Sequence, residues 1–402
     1  MTRVKTDTIL SIPQRVVLVV LVLILLVLSA LGLHAKLTSR TGLVLWDFYQ
    51  PWRALRAMVR DGIDPYSEEV TRDEYWYMPG RPVVSQDSGL VLQLGYPLHV
   101  MVLIGPLVFL SVPWAQAAWL AVLELALFLT FLFAPRAVEW RPPGWLLAFV
   151  VVVSLGMYHT AWALFLGQVS IVVAALTVLA WWGLRTERWA LAGVCLALST
   201  VKPQAVFLFA PFILLWAVYR RHWRLLVSFA ISLGLLVLMP MLWQSTWPLA
   251  WLKVMQQYTG FTVLPSAWLA AAIAVLLLVW IGFCWWRAPQ RDGAALDWAL
   301  GMLLVTSMLV GPRVTYVGQL VLLLPLFFLF KQVNRPTIVI IVGLALLAGP
   351  WTLDLLLAPR LTTPEHLLWQ HHVINPILPV GIAIALLALS PRAARREADE
   401  LA

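Results

Sequence analysis

Apolar stretches close to the length of a membrane-spanning helix follow one another along almost the whole chain, and they constrain its fold more than any motif does. A helix rises ~1.5 Å per residue, so about 20 apolar residues cross the ~30 Å hydrocarbon layer. Of the 402 residues 62% are hydrophobic, which is more apolar surface than a soluble core can bury. Strand-like alternation is absent, and in lipid a backbone must be paired within its own helix. The sequence therefore predicts an all-α polytopic membrane protein, with residues 1–402 as a single integral membrane domain.

The positions of the apolar runs predict about 12 or 13 membrane segments. The segment near 97–110 is interpreted as short, re-entrant or tilted, because Pro106 interrupts it and Pro113 ends it. Spans are predicted near 13–35, 114–134, 143–160, 168–184, 189–201, 203–219, 225–243, 264–286, 294–311, 316–330, 336–352 and 373–390.

The basic residues indicate which loops face the cytoplasm. Beyond residue 97 most of them fall in short clusters near 136–141, 185–188, 220–224, 287–291, 331–335 and 392–396. By the positive-inside rule these are cytoplasmic loops, with 391–402 as a cytoplasmic tail. The segments 159–168, 244–262, 311–316 and 354–372, together with Lys202, then face outward. This distribution explains the net charge of +9 without a nucleic-acid partner.

One large polar loop, 38–95, interrupts the apolar pattern and is predicted to be extracytoplasmic. It carries Asp47, whose carboxylate is placed for chemistry at the membrane surface. From residue 51 to residue 60 the apolar side chains Trp52, Leu55 and Met58 share one helical face while the arginines face away, as in a helix that lies among lipid headgroups.

An acidic run and an aromatic run follow in the same loop, near 68–74 and 75–77. They are interpreted as a solvated loop with an aromatic interfacial belt, or as rings that stack on sugars.

A single carboxylate at the edge of the bilayer can act as a general base toward a hydroxyl acceptor, provided that the leaving group departs as a stabilised phosphate. Inverting sugar transfer needs such a base together with positive charge on the phosphate side. Among the basic residues outside the cytoplasmic clusters, the candidates for this charge are Lys202, Lys253 and Arg313. Charges at such depths are costly without a partner or a function, so Lys202 and Arg313 are the preferred candidates.

An ordered set of short motifs resembles glycosyltransferase family 87. The motifs are Asp47-Phe48, Gly62-Ile63-Asp64-Pro65-Tyr66, Tyr96-Pro97-Leu98 before Gly105-Pro106-Leu107, Gly167-Gln168, and Lys202-Pro203 before a span that ends in Tyr219-Arg220-Arg221-His222-Trp223-Arg224. The resemblance covers residues 10 to 330; it departs at Tyr96-Pro97-Leu98, where family members often carry a second proline.

The resemblance implies a GT-C-type bundle and a polyprenyl-phosphate-sugar-dependent hexosyltransferase in the cytoplasmic membrane, with its active site on the extracytoplasmic face. It would move a hexose, most commonly mannose in such relatives, from a polyprenyl-phosphate carrier to a lipid-linked or cell-envelope glycan. Asp47 would be the base, and Lys202 and Arg313 would bind the donor phosphate. No metal and no other cofactor is expected.

Several further polar residues on the predicted outer face are candidate substrate contacts, and interfacial anchoring or helix–helix hydrogen bonding explains each of them equally well. They are Tyr96, His159, Gln168, Tyr258 and Tyr316.

A histidine cluster near the last predicted span raises the question of a metal. The i, i+5, i+6 spacing of His366, His371 and His372 does not place all three on one helix face, so a metal site is not expected.

A transporter or flippase of a lipid-linked saccharide is the main alternative, with Asp47, Lys202 and Arg313 lining its path. Such proteins often contain internal repeats with paired broken helices, and none is evident here. A membrane scaffold is a third possibility, but it leaves the isolated charges unexplained.

Overall fold

The computed structural model describes residues 45–67, 69–70, 94–257, 267–287, 293–311, 314–357 and 370–399. No strand occurs in this part of the chain, and the all-α class is confirmed. Its helices are α1 (Trp46–Asp61), α2 (Leu98–Phe109, of mixed 3₁₀ and α type), α3 (Val112–Ala137), α4 (Gly144–Gly156), α5 (Tyr158–Leu166), α6 (Ser170–Arg185), α7 (Trp189–Ser199), α8 (Pro203–Val206), α9 (Phe209–Tyr219), α10 (Trp223–Leu238), α11 (Trp247–Gln257), α12 (Ala267–Arg287), α13 (Ala294–Val310), α14 (Tyr316–Val333, 3₁₀ over Tyr316–Leu322), α15 (Pro336–Leu357) and α16 (Asn375–Asp399).

Six of the described helical segments are long and apolar enough to cross a membrane, so the chain is a multi-pass membrane protein. They are Val112–Ala137, Trp223–Leu242, Trp268–Trp286, Tyr316–Val333, Pro336–Leu357 and His372–Leu389. Others are shorter: α7 has 11 residues, a rise of ~16 Å, about half of the hydrocarbon layer. The total of 12 or 13 membrane segments therefore stays a prediction, and the first predicted span, near 13–35, lies outside the described residues.

The predicted span near 143–160 is wrong in detail, because the helix ends early. Helices α4 and α5 are bent by 54° at Met157, whose ψ of 141° takes the backbone out of the helical region. Helix α5 then occupies 158–166, where an outer turn was expected, and leads directly into Gly167 and Gln168. Counted as one span, the bent pair raises the number of long segments to seven.

Helix α2 is short, as predicted, but it ends at Phe109, and Pro113 lies in the first turn of α3. Its 12 residues, Leu98–Phe109, rise ~18 Å if fully helical, and the helix changes to 3₁₀ geometry at Gly105–Phe109. It is held by α1, because Trp52 Nε1 donates to Leu107 O over 2.8 Å.

Helix α1 buries the predicted apolar face, but against protein. Trp52, Leu55 and Met58 are 0–4% exposed, and α1 packs on the second half of α2. The expectation that all the arginines face away is wrong for Arg56, which donates to Val108 O over 3.1 Å and to Leu110 O over 2.9 Å. Carbonyl groups at a helix end need such donors.

Three of the basic clusters that were predicted to share one side of the membrane, near 136–141, 185–188 and 331–335, meet at one end of the bundle. Arg185 lies 2.5 Å from Asp297 and 3.9 Å from Glu139, and Lys331 lies 3.8 Å from Glu139. This end, defined by Arg185 and Asp297, is called the Arg185 end. Because α6 runs 16 residues from Ser170 to Arg185, Gln168 lies ~24 Å away at the opposite end.

Candidate functional site

A carboxylate, an amide and an ammonium group are linked at the end of the bundle opposite Arg185. Gln168 Nε2 donates to Asp47 Oδ2 over 2.5 Å, and Lys202 Nζ donates to Gln168 Oε1 over 2.9 Å. A carboxylate only accepts and an ammonium group only donates, so one amide orientation alone satisfies both partners. The amide therefore holds the two charges close together without direct contact. These three residues are called the Asp47 centre.

Gly167 brings the amide to the carboxylate. Its φ of +74° ends α5 in the left-handed region, and a Cβ at this position would lie 2.9 Å from Leu45 Cβ and 3.0 Å from Phe48 Cβ. Both the backbone angle and the close approach require glycine. The first turn of α1, which carries Asp47, therefore packs directly on the end of α5.

Two residues of α3 fix this contact. Leu45 N donates to Gln116 Oε1 over 2.5 Å, and the Phe48 ring stacks on Trp119 with centroids 5.4 Å apart. Trp119 Nε1 in turn donates to Gly167 O over 2.8 Å. Gln116 and Trp119 were not identified from the sequence, because both lie inside an apolar span where no pattern distinguishes them.

Lys202 lies in the connection between α7 and α8, with 6% of its surface exposed. A Cβ at Gly318 would lie 3.4 Å from Lys202 Nζ, so the ammonium group rests against the 3₁₀ turn at the start of α14. Burial lowers the pKa of Lys202 to about 8, and the negative charge of Asp47 opposes this shift. Lys202 is therefore mostly protonated at neutral pH.

Tyr96 also approaches the Asp47 centre. Its Oη lies 3.4 Å from Gln168 Oε1, and its own carbonyl accepts a 2.9 Å hydrogen bond from Tyr66 Oη. Tyr66 follows an Asx turn in which its N–H donates to Asp64 Oδ1 over 2.9 Å. The predicted Gly62–Tyr66 motif thus ends α1 and holds the segment that carries Tyr96.

The remaining predicted residues are more dispersed. His159 is 1% exposed, and Tyr316 Oη lies 3.5 Å from Gln370 Oε1. Lys253 is exposed on α11. Arg313, Tyr258 and His366 lie outside the described residues, as does the His371 side chain.

Metal ligands are a separate question. Among the described residues, no three His, Cys, Asp or Glu side chains are grouped so as to hold a metal ion. The metal-free reaction stays a prediction.

His99 is a neighbour of the centre that the sequence did not reveal. Its Nε2 lies 3.2 Å from Thr200 Oγ1, which itself lies 2.6 Å from Ala197 O. If the hydroxyl proton serves Ala197, His99 donates through Nε2. Thr200 precedes Lys202 by two residues, so the imidazole buttresses the connection that carries the ammonium group.

The fold and the centre together define a class: a multi-pass helical membrane protein with one carboxylate and one buried ammonium group joined at one end. The family model of glycosyltransferase family 87 matches residues 94–312, more than half of the chain. The protein therefore belongs to glycosyltransferase family 87 and is a glycosyltransferase, which confirms the predicted resemblance. The matched region includes Gln168 and Lys202 and begins after Asp47. No curated protein and no solved structure matches the chain.

Proposed function

We propose that the protein transfers a hexose from a polyprenyl-phosphate carrier to a hydroxyl group of a lipid-linked or cell-envelope glycan, with inversion at the anomeric carbon. The observation that carries the proposal is the link from Asp47 through Gln168 to Lys202. Sugar transfer from a phosphate needs a base for the acceptor and a cation for the leaving group, and these are the two charges that the amide holds together.

In the proposed reaction the acceptor hydroxyl oxygen attacks the anomeric carbon while its proton passes to the Asp47 carboxylate. The bond between the anomeric carbon and the phosphate oxygen breaks, and the electron pair leaves with the polyprenyl phosphate. Negative charge grows on that oxygen in the transition state, so the Lys202 ammonium group stabilises the transition state more than the bound donor. Gln168 keeps the carboxylate oriented and separates it from the ammonium group, since a direct ion pair would lower its basicity.

Arg313 is the second cation in this proposal. We assign it this role from its sequence position between α13 and α14. A guanidinium group binds phosphate through two parallel hydrogen bonds, whereas an ammonium group acts as a point charge. Val314 packs near Gly311, where a Cβ would lie 2.9 Å from Val314 Cγ2 and 3.3 Å from Gln204 O. The chain on either side of Arg313 therefore runs close to the helix that follows Lys202.

Mannose as the donor sugar, and reaction on the extracytoplasmic face of the cytoplasmic membrane, complete the proposal. The support is the family, the large polar loop beside Asp47 and the basic residues gathered at the Arg185 end.

The test is reconstitution of the purified protein in liposomes with polyprenyl-phosphate mannose, labelled in the sugar, and an extract of envelope glycolipids as acceptor. Covalent label in the glycolipid, in the opposite anomeric configuration, is the expected result. Label that crosses the bilayer while still attached to its carrier indicates a flippase and contradicts the proposal. A matched preparation of the Asp47→Asn variant controls for contaminating transferases.

A further inference from the structure

Four polar side chains outside the Asp47 centre meet in a second buried network. Gln370 Nε2 donates to Tyr158 Oη over 2.6 Å and lies 3.5 Å from Asp354 Oδ1, while Tyr316 Oη lies 3.5 Å from Gln370 Oε1. Tyr158, Tyr316, Asp354 and Gln370 are called the Tyr158 cluster. They come from the start of α5, the start of α14, the last turn of α15 and the π-turn Gln370–Ile374.

Aromatic rings pack against the Tyr158 ring of the Tyr158 cluster. The Tyr158 ring lies 5.2 Å from that of Tyr316, 4.9 Å from that of Trp351 and 6.0 Å from that of Trp162, measured between centroids. The ring planes are tilted by 51° to 68°, so the three rings pack at an angle against the Tyr158 ring, as aromatic pairs prefer.

Two buried nitrogens beside the cluster have no hydrogen-bond partner among the described residues. They are His159 Nε2 and Trp162 Nε1. Both belong to α5, where positions 158, 159 and 162 share one side of the helix. Buried polar atoms in native proteins nearly always have a partner, so these two nitrogens require a partner that the described residues do not supply.

The Tyr158 cluster adjoins the phosphate side of the Asp47 centre. Tyr316 belongs to the same 3₁₀ turn as Gly318, against which the Lys202 ammonium group lies. Helix α5, which carries Tyr158, ends at Gly167 and continues into Gln168. A group attached to a phosphate at Lys202 is therefore within reach of the cluster.

The chemistry of the cluster selects among possible ligands. A carboxylate accepts hydrogen bonds and repels a phosphate, and no lysine or arginine is among the cluster's four residues. A prenyl chain cannot form hydrogen bonds with a buried carboxylate and amide, so binding it there would leave these groups without partners. A hexose ring suits both components, because its hydroxyl groups pair with carboxylate, amide and phenol oxygens while its C–H face packs on aromatic rings.

We propose that the Tyr158 cluster is the subsite that binds the hexose ring of the donor and selects its sugar. This inference rests on the proposed function for its reaction. We assign the subsite to the donor because the sugar ring of the donor is bonded directly to its phosphate group. Tyr316 of the cluster and Gly318, against which Lys202 Nζ lies, belong to the same 3₁₀ turn. Asp354 and Gln370 bind the hydroxyl groups, and their pattern decides which epimer fits.

The test compares wild type with Asp354→Asn and Tyr158→Phe, using donors that carry mannose, glucose or galactose on the same polyprenyl phosphate. We expect kcat/KM for the preferred donor to fall by about 10-fold to 10²-fold in Asp354→Asn, with a smaller loss in Tyr158→Phe. The preference among the three sugars should narrow, while the KM of the acceptor stays within about twofold.

Asp297→Asn is the matched control, because Asp297 is a fully buried carboxylate at the Arg185 end. It should lower thermal stability and leave the ratio of donor sugars unchanged. Equal losses for all three donors in Asp354→Asn, or a change confined to the KM of the acceptor, would overturn the subsite.

Equilibrium binding of labelled donor to protein in nanodiscs separates this inference from the proposed function. If donor binding depends on Asp354 but the wild type transfers no sugar, the subsite is supported and the transferase mechanism is contradicted. Transfer by wild type with donor binding and sugar preference independent of Asp354 removes the subsite and keeps the mechanism. If wild type neither transfers nor binds the donor, both fall.

Discussion

Replacing Gly167 by alanine tests whether the contact between α5 and α1 positions the carboxylate. The added Cβ would lie 2.9 Å from Leu45 Cβ and 3.0 Å from Phe48 Cβ. Both atoms are attached directly to the backbone, so the first turn of α1 must withdraw by about 0.5 Å to restore ordinary contact. Asp47 lies between these two residues and moves with them.

Gly62→Ala is the matched control for backbone strain. Gly62 and Gly167 have nearly the same φ, +69° and +74°, but a Cβ at Gly62 meets nothing within 4 Å. Left-handed geometry costs alanine about 1–2 kcal/mol, partly offset by lower entropy of the unfolded chain. The overlap at Gly167 adds about 1–3 kcal/mol, so Gly167→Ala should be the less stable variant by that difference.

Turnover per folded molecule is the decisive assay, with thermal melting in detergent measured alongside. Misplacement of a reacting group by 1 Å costs about 10²-fold, so Gly167→Ala should lose about 10-fold to 10²-fold in turnover while Gly62→Ala stays within about threefold of wild type. If the two variants melt and turn over alike, the close approach at Gly167 does not position Asp47.

Three further predictions test the cations and the orientation. The pKa of Lys202 is lowered to about 8 and the protonated form is the one required, so kcat/KM should fall as pH rises through about 8. The Lys202→Arg variant stays charged and should not show this fall, and a pH profile unchanged by the substitution contradicts the role of Lys202. Arg313→Lys should lose most of the activity despite the retained charge, and Arg313→Ala should combine less than additively with Lys202→Ala, whereas reduced yield with normal turnover in both alanine variants would assign the phosphate to other residues. His222 stacks on Trp189, with ring centroids 3.7 Å apart, among the basic residues that were predicted to be cytoplasmic. A cysteine at position 222 should therefore not react with a membrane-impermeant reagent added to intact cells, and labelling from outside refutes the predicted membrane orientation.

Sequence reasoning found the charged members of the site but not the links between them. Asp47 and Lys202 were identified because charge near an apolar run is costly. Gln168 was only one of several candidate contacts. Its partner Asp47 is 121 residues away in the chain and its partner Lys202 is 34 residues away, so no local sequence pattern indicates that it links them. A single sequence indicates the chemistry of individual residues, whereas which residues contact one another depends on the tertiary fold.

The bend at Met157 and the Tyr158 cluster escaped prediction for a related reason. Hydropathy is continuous across 144–166, so no composition signal separates α4 from α5. Asp354 and Gln370 were assigned only to an outward-facing segment, because a lone carboxylate and a lone amide at helix ends are ordinary features. Only the packing of α5 against α14 and α15 brings them beside Tyr158.

The central claim is that Asp47 takes the proton of the acceptor, and Asp47→Asn tests it most directly. The substitution keeps the shape of the side chain and removes its basicity, so transfer should fall by about 10² to 10⁴-fold.

The measurement is transfer of labelled hexose in liposomes at about pH 6.5, since loss of the Asp47 charge would lower the pKa of Lys202 further and a more alkaline assay would mix the two effects. Donor binding, measured on the same preparation, should change little. Near-wild-type transfer by Asp47→Asn would contradict the account, because the carboxylate would then not be the base.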